Sequence, residues 1–271
     1  MVVLVRGVGD IGSAVAHHLF REGYGVVIHD EPQPTTTRRG MAFTDAVFDG
    51  RATLAGIEAE RLDDVSSIKN ALVARVSIAI AVGDFLPLVK ALAPNILVDA
   101  RMRKREKAES QRGLANLTIG LGPSFVAGET TDVLIETRWG DRLGQVLTEG
   151  ASLPFAGEPR RLGGHGRDRY VYAPAQGPFR TKLEIGDPVK RGDVVAHIGS
   201  IALPSPLDGV LRGLTRDGVP VSEGTKVIEV DPRGADAEVT GIGERPRRIA
   251  ESVSLVVRDV VPVDPRGPNG K

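Results

Sequence analysis

Eleven residues near the N-terminus, Val2 to Gly12 (VVLVRGVGDIG), constrain the fold more than any other stretch. An apolar run breaks into Gly7-Val8-Gly9-Asp10-Ile11-Gly12, and Ser13 to Gly23 then sets Ala14, Val15, Leu19 and Phe20 at helical spacing. The order is strand, glycine turn, helix. In a G-x-G-x-x-G turn the first glycine permits the tight reversal, the second admits a pyrophosphate close to the backbone, and the third lets the helix pack on the strand. Free N–H groups at the start of the helix then face an anion. Gly7, Gly9, Asp10, Ile11 and Gly12 are therefore candidate cofactor-binding residues. A second strand, Val26-Val27-Ile28-His29, leads into Asp30 and Glu31, where an acid about 20 residues after the turn binds a ribose 2′-hydroxyl. The alternative is a glycine-rich turn with no ligand. Asp10 suits the positive end of a helix without any ligand contact, and it would repel a pyrophosphate unless a divalent cation bridged the two or the ligand supplied a donor.

Beyond the acid, Thr35-Thr36-Thr37-Arg38-Arg39 brings hydroxyls and two guanidinium groups near the expected ribose or phosphate, and the guanidinium fork suits phosphate. A solvated basic loop is the competing reading. Met41 to Phe48 reads as a short helix, Ile57 to Leu62 as a strand, Ile68 to Ala74 as helix, Val76 to Val82 as a buried strand, Phe85 to Leu92 as helix and Ile96 to Ala100 as strand. Such alternation predicts an α/β fold with a Rossmann-like parallel sheet, helices on both faces and ligands at the carboxyl ends of the strands. Gly83 and Asp99 stand at two such ends and join the candidates, although each also fits a turn or helix cap. The charged stretch Met102 to Arg112 reads as an exposed helix or mobile loop. The strand Leu117 to Leu121 runs into a second glycine cluster, and Gly120, Gly122, Glu136 and Arg138 form a possible second pocket. Further strands are expected at Val133 to Thr137 and Gln145 to Thr148.

The Gly- and Pro-rich residues 150–168 read as a connection between a dinucleotide-binding domain at 1–149 and a duplicated β domain at 169–234. Ala173 to Gly199 aligns on Ser205 to Asp231 at an offset of 32, with eight of 27 pairs identical, where ordinary residue frequencies give about two. This spacing resembles the biotinyl/lipoyl-like, or hammerhead, domains, which implies a small barrel-sandwich. In true carriers a modified lysine stands between the halves, whereas here Gly199-Ser200-Ile201-Ala202-Leu203-Pro204 occupies that turn, so no covalent biotin or lipoate is expected. Ile201 and Leu203 are left to pack on the N-terminal domain, on a partner, or within the repeat. Residues 235–271 read as a C-terminal helix and a tail, Pro262 to Lys271, without regular structure.

Lys plus Arg and Asp plus Glu number 35 each, so no net field draws the chain to nucleic acid or an anionic membrane. No run has the length of a membrane helix and no secretion signal is evident, so a cytoplasmic location is expected. The absence of cysteine excludes disulfides, thiolate metal sites and a persulfide relay within these residues, and no metal site is expected.

Read together, RGVGDIGSAVAHHL, PTTTRRGMAFTDAVFDG, IGLGPSFVAG, DVLIETRWGDRLG and the β repeat followed by DPRG resemble the YqeB-type accessory proteins of selenium-dependent molybdenum hydroxylase systems, over roughly residues 2 to 258. The resemblance implies a maturation or accessory role near the molybdenum cofactor, with a hydroxylase or other maturation factors as partners. The chain departs from the pattern at Asp141, where relatives carry histidine. The leading expectation is an accessory protein that binds NAD(P) or a pyranopterin dinucleotide through its first domain, as a monomer or a homo-oligomer. One alternative is an NAD(P)-dependent oxidoreductase, for which no acid/base partner is evident, since His17, His18, His29, His165 and His197 all have structural readings. The other is a non-enzymatic nucleotide-binding scaffold. No catalytic residue is assigned.

Overall fold

A computed structural model describes residues 1–103, 108–155, 157 and 159–260. The expected irregular tail, Pro262 to Lys271, lies outside them. The chain runs β1 Val2–Arg6, α1 Asp10–Arg21, β2 Gly25–Asp30, α2 Ala46–Asp49, β3 Arg51–Leu54, β4 Ile57–Arg61, α3 Val65–Ala74, β5 Ile78–Val82, α4 Phe85–Leu92, β6 Ile96–Asp99, β7 Leu117–Leu121, β8 Val126–Ala127, β9 Val133–Ile135, β10 Val146–Leu147 and β11 Gly150–Ala151. It continues through β12 Tyr170–Tyr172, β13 Gly177–Arg180, β14 Pro188–Val189, β15 Val194–Ile198, β16 Ile201–Pro204, β17 Gly209–Leu214, β18 Pro220–Val221 and β19 Lys226–Asp231 to a last helix, α5 Glu244–Val260.

The first eleven strands correct the expected fold class. Instead of a wholly parallel Rossmann-like sheet there is a nine-stranded mixed sheet, ordered β10-β9-β7-β6-β1-β2-β5-β4-β3. β3 runs antiparallel to β4 and β10 antiparallel to β9 at its two edges. Local turn chemistry makes these edges: Ala55 and Gly56 both hold positive φ between β3 and β4, which closes a tight hairpin and not a crossover. β8 and β11 form a further small antiparallel sheet.

Alternation along β1 divides the core. Val3 and Val5 face one layer with α1 and α5, and Leu4 faces the other with α3 and α4. α3 starts where the Asp64 carboxylate accepts the Ser67 N–H at 2.8 Å, an N-cap of the usual kind. Helix α5 does not belong to a separate C-terminal piece, because Ile249, Ala250, Val253 and Val257 are buried against α1 in the first core. The Glu22 carboxylate closes that contact by accepting from the Ser254 hydroxyl and pairing with Arg258. Val253→Ala is therefore expected to lower stability by about 2 kcal/mol through loss of buried methyls, read as a shifted urea midpoint. An unchanged midpoint would show that α5 contributes nothing to this core. No helix among the described residues is long and apolar enough to cross a membrane.

The expected barrel-sandwich, or hammerhead, domain is corrected as well. Residues 170–231 make two open four-stranded antiparallel sheets, β12-β19-β17-β14 and β16-β15-β13-β18, which end on unpaired edges instead of closing. The duplication is visible in the strands themselves: β13, β14 and β15 recur as β17, β18 and β19 at the offset of 32. Each half lends a short strand to the other, since β13 pairs with β18 and β14 with β17. Phe179, Leu211, Leu214, Val227 and Val230 fill the space between the sheets. Leu203 is buried in that core, while Ile201 at the tip is 42 % exposed.

Candidate functional site

A cleft of about 1630 Å³ opens beyond the carboxyl ends of the central strands. β1 lies between β2 and β6, all three parallel, and ligands in open α/β sheets settle in the crevice where the chain crosses to opposite sides of such a strand. Gly7, Gly9, Asp10 and Ile11 border the cleft on one side, with Asp30 and Arg38. Glu136 and Arg138 line the same cleft, so they do not form a second pocket with the other glycines.

The three glycines of the turn have different reasons to be glycine. Gly7 holds φ +113° against the backbone of Ala100, a conformation that side chains rarely adopt. At Gly12 a Cβ would stand 1.9 Å from the Gly7 carbonyl oxygen, so the helix lies on the turn only because nothing intervenes. Gly9 has neither constraint. Its φ is −62°, and a Cβ there would meet only Thr36 Oγ1, at 3.9 Å, on the cleft side. Gly9 is thus the position where a missing side chain leaves room for a ligand.

Two carboxylates each take one donor of the turn. Asp30 accepts the Val8 N–H at 2.6 Å and the Glu31 N–H at 2.8 Å, and burial pushes its carboxyl up against the pull of those amides. Asp10 accepts its neighbour's N–H, from Ile11, at 3.1 Å and takes Arg38 on its other oxygen at 3.0 Å. Burial raises the Asp10 carboxyl, but the charges of Arg38, Arg245 and Lys226 outweigh it and hold the group below its ordinary value. The Ile11 side chain belongs to the core.

Arg38 reaches across to β19. Its guanidinium meets Glu229 in two bonds of 3.0 Å, a paired geometry that fixes direction as well as charge. Glu229 is fully buried and also accepts Arg169 at 2.5 Å and Lys226 at 2.8 Å, with Arg212 3.7 Å away. Burial alone would raise this carboxyl, but Lys226, Arg38 and Arg169 hold it well below the carboxylate range. Lys226 and Arg169 both lie over the Tyr170 ring, at 4.5 and 4.4 Å, and Arg245 from α5 reaches the Thr137 carbonyl oxygen at 2.7 Å. Across the whole cleft Arg and Lys outnumber Asp and Glu by about two to one, in a chain whose formal charge sums to zero.

The other sequence candidates are held by partners of their own around the cleft. Arg39 binds Asp45 with both carboxylate oxygens and donates to the Leu214 carbonyl, which ties β17 to the first sheet. The Gly83 carbonyl accepts His29 Nε2 at 2.7 Å. Asp99 is buried and clamps Arg101 at 2.5 Å. Nearby, burial pushes the Glu109 carboxyl up, yet bonds from Arg101 and Arg6 hold it down at about 2. Gly120 makes room for Phe125, and Gly122 for Thr137. Glu136 accepts the Arg138 and Leu153 N–H groups, each at 2.7 Å.

The residues that sequence reasoning missed are Glu229, Lys226, Arg169, Arg212 and Arg245. A signal was present in the repeat. Glu229 corresponds to the exposed His197, and the buried Arg212 to the exposed Arg180. The second copy carries buried charge where the first does not, and it is the copy that faces the glycine turn.

No family model matches the chain. Solved structures with partial likeness include the product-bound ectoine utilization protein EutE (DoeB) from Ruegeria pomeroyi, at 12% identity and TM-score 0.25 with 84% of each chain covered. An aspartoacylase family protein from Mesorhizobium loti gives 14% identity and TM-score 0.26, again with 84% of each chain covered. At such TM-scores the likeness carries no argument, and the corrected fold rests on the strand pairing. In sequence, the chain is 38% identical over 252 residues to "Uncharacterized protein YqeB" of Escherichia coli (strain K12), across 93% of its own residues and 46% of that protein. The chain thus spans about half the length of this relative, and over that half its sequence is similar to YqeB.

Proposed function

We propose that the chain acts as an accessory or maturation protein for a molybdenum hydroxylase, holding a nucleotide-bearing cofactor, NAD(P) or a pyranopterin dinucleotide, in the cleft above the glycine turn. One observation carries this reading: Gly9 leaves backbone open to a ligand in a cleft that Arg38, Arg169, Arg212 and Lys226 also line. The volume suits a dinucleotide better than a smaller ligand, since sites for drug-sized molecules span about 300–1,000 Å³. With no cysteine among its 271 residues, this stretch holds or hands over the cofactor and relays neither sulfur nor selenium through a persulfide of its own. The handover takes place in the cytoplasm, to a hydroxylase partner.

The test is native mass spectrometry of protein purified from a molybdenum-replete host, before and after denaturation. The expected result is an adduct with the mass of NAD(P) or a pterin dinucleotide, released on unfolding. Protein that carries neither, and that binds neither on titration, would end the proposal.

A further inference from the structure

We propose, resting on that reading, that the phosphate end of the ligand binds the wall made by residues 169–226, around Lys226, Arg169 and Arg212, while the glycine turn takes the hydroxyl- or amine-bearing part. A pyrophosphate placed on the turn in the usual way would meet Asp10 and Asp30, whose carboxylates already accept the N–H groups of Ile11 and Val8. Two carboxylates repel a phosphate and accept from a ribose or an amine. Across the cleft the balance reverses. Arg38, Arg169 and Lys226 share Glu229, with Asp10 a second partner of Arg38 alone, and Asp231 is spent on Arg212 and Arg233, at 3.1 and 2.7 Å.

One nitrogen on each of two arginines of this wall also lacks an acceptor, as does Arg6 Nε at the end of β1. Arg169 and Arg212 are 2 % and 8 % exposed, both line the cleft, and the Nε of each has no hydrogen-bond partner. An unmatched buried donor is costly, and a phosphate at the exposed heads of this wall supplies the negative charge that the cluster lacks. Tyr170 holds the cations in place, because the Arg169 and Lys226 heads lie over its ring and Arg169 donates to its hydroxyl at 2.7 Å. Lys226 is the member of the set that a ligand reaches most readily, with 28 % of its side chain exposed.

Calorimetry with inorganic pyrophosphate and with NADP at low salt tests the placement. Wild type should bind pyrophosphate, Lys226→Met should weaken that binding at least tenfold while the protein stays folded by circular dichroism, and Lys226→Arg should restore most of it. No heat from pyrophosphate, or equal affinity in wild type and Lys226→Met, would overturn the placement. So would loss of pyrophosphate binding in Gly9→Val with retention in Lys226→Met, which puts the phosphates on the turn. The NADP arm separates the two proposals. Dinucleotide binding that ignores Lys226→Met sinks the placement alone, whereas pyrophosphate binding as expected with no affinity for NADP or a pterin dinucleotide sinks the nucleotide reading.

Discussion

Gly9→Val is expected to abolish dinucleotide binding while leaving the thermal midpoint within a few degrees of wild type, and Gly12→Ala, three residues on, to unfold the first sheet. The contrast follows from what surrounds each glycine. At Gly9 an added side chain enters the cleft, and its first atom has no closer neighbour than Thr36 Oγ1 at 3.9 Å, ordinary van der Waals contact. The backbone there, φ −62° and ψ 178°, is extended and open to any residue. Only the ligand loses space. At Gly12 even a methyl would stand 1.9 Å from the Gly7 carbonyl oxygen and 3.3 Å from the Ala100 side chain. Backbone cannot yield as a flexible side chain does, so α1 must lift from β1 and release the contacts of Ile11, Val15 and Leu19. Overpacking costs about 1–3 kcal/mol in an ordinary core, and more where only backbone can yield, as here. Differential scanning fluorimetry and titration calorimetry on both variants decide the matter. A Gly9→Val protein that binds a dinucleotide as wild type does would mean the ligand never approaches the turn, and a Gly12→Ala protein of normal stability would mean that the close packing is relieved at little cost.

The same glycines show how far the sequence could be read. The strand, turn and helix from Val2 to Arg21 follow from local spacing, and so does the duplication of β13 to β15 in β17 to β19, because each depends on residues close together in the chain. Features made by distant partners did not follow. One local feature did not follow either, the hairpin that sets β3 antiparallel to β4, because its Ala55-Gly56 turn carries no strong dipeptide signal. α5 reads as a C-terminal helix but gives no sign that its partner is α1, more than two hundred residues earlier. Asp10 and Arg38 were legible as charges near a phosphate. Their partnership with each other and with Glu229 was not, since it joins β19 to a turn 219 residues away in the chain. Arg38 thus stands where a phosphate ligand was expected and is held there by a carboxylate from the other unit.

Glu229→Gln is expected to destabilise the chain by about 3–5 kcal/mol, the usual cost of removing one partner from a buried charge group. Glutamine keeps the shape of the side chain, so packing in β19 is preserved and the loss is electrostatic. Arg38, Arg169 and Lys226, with Arg212 close by, would be left facing an amide whose nitrogen is a donor like their own. Only Asp10 would remain to balance Arg38. The pH dependence has a definite sign. In the folded chain the Glu229 carboxyl lies well below its ordinary value, because the cations outweigh the penalty of burial, whereas in the unfolded chain it titrates near pH 4.3. Between those values the unfolded state binds the proton and the folded state does not, so stability rises with pH there. This contribution is fully present above the unfolded value and is lost as pH falls toward the folded one. Urea unfolding of wild type and Glu229→Gln at pH 7, 5, 4 and 3 should therefore show two converging curves, far apart at neutral pH and drawing together in acid. Parallel curves at every pH would show that Glu229 is not the titrating group, and curves that coincide at pH 7 would show that the four cations find other partners when the carboxylate is gone.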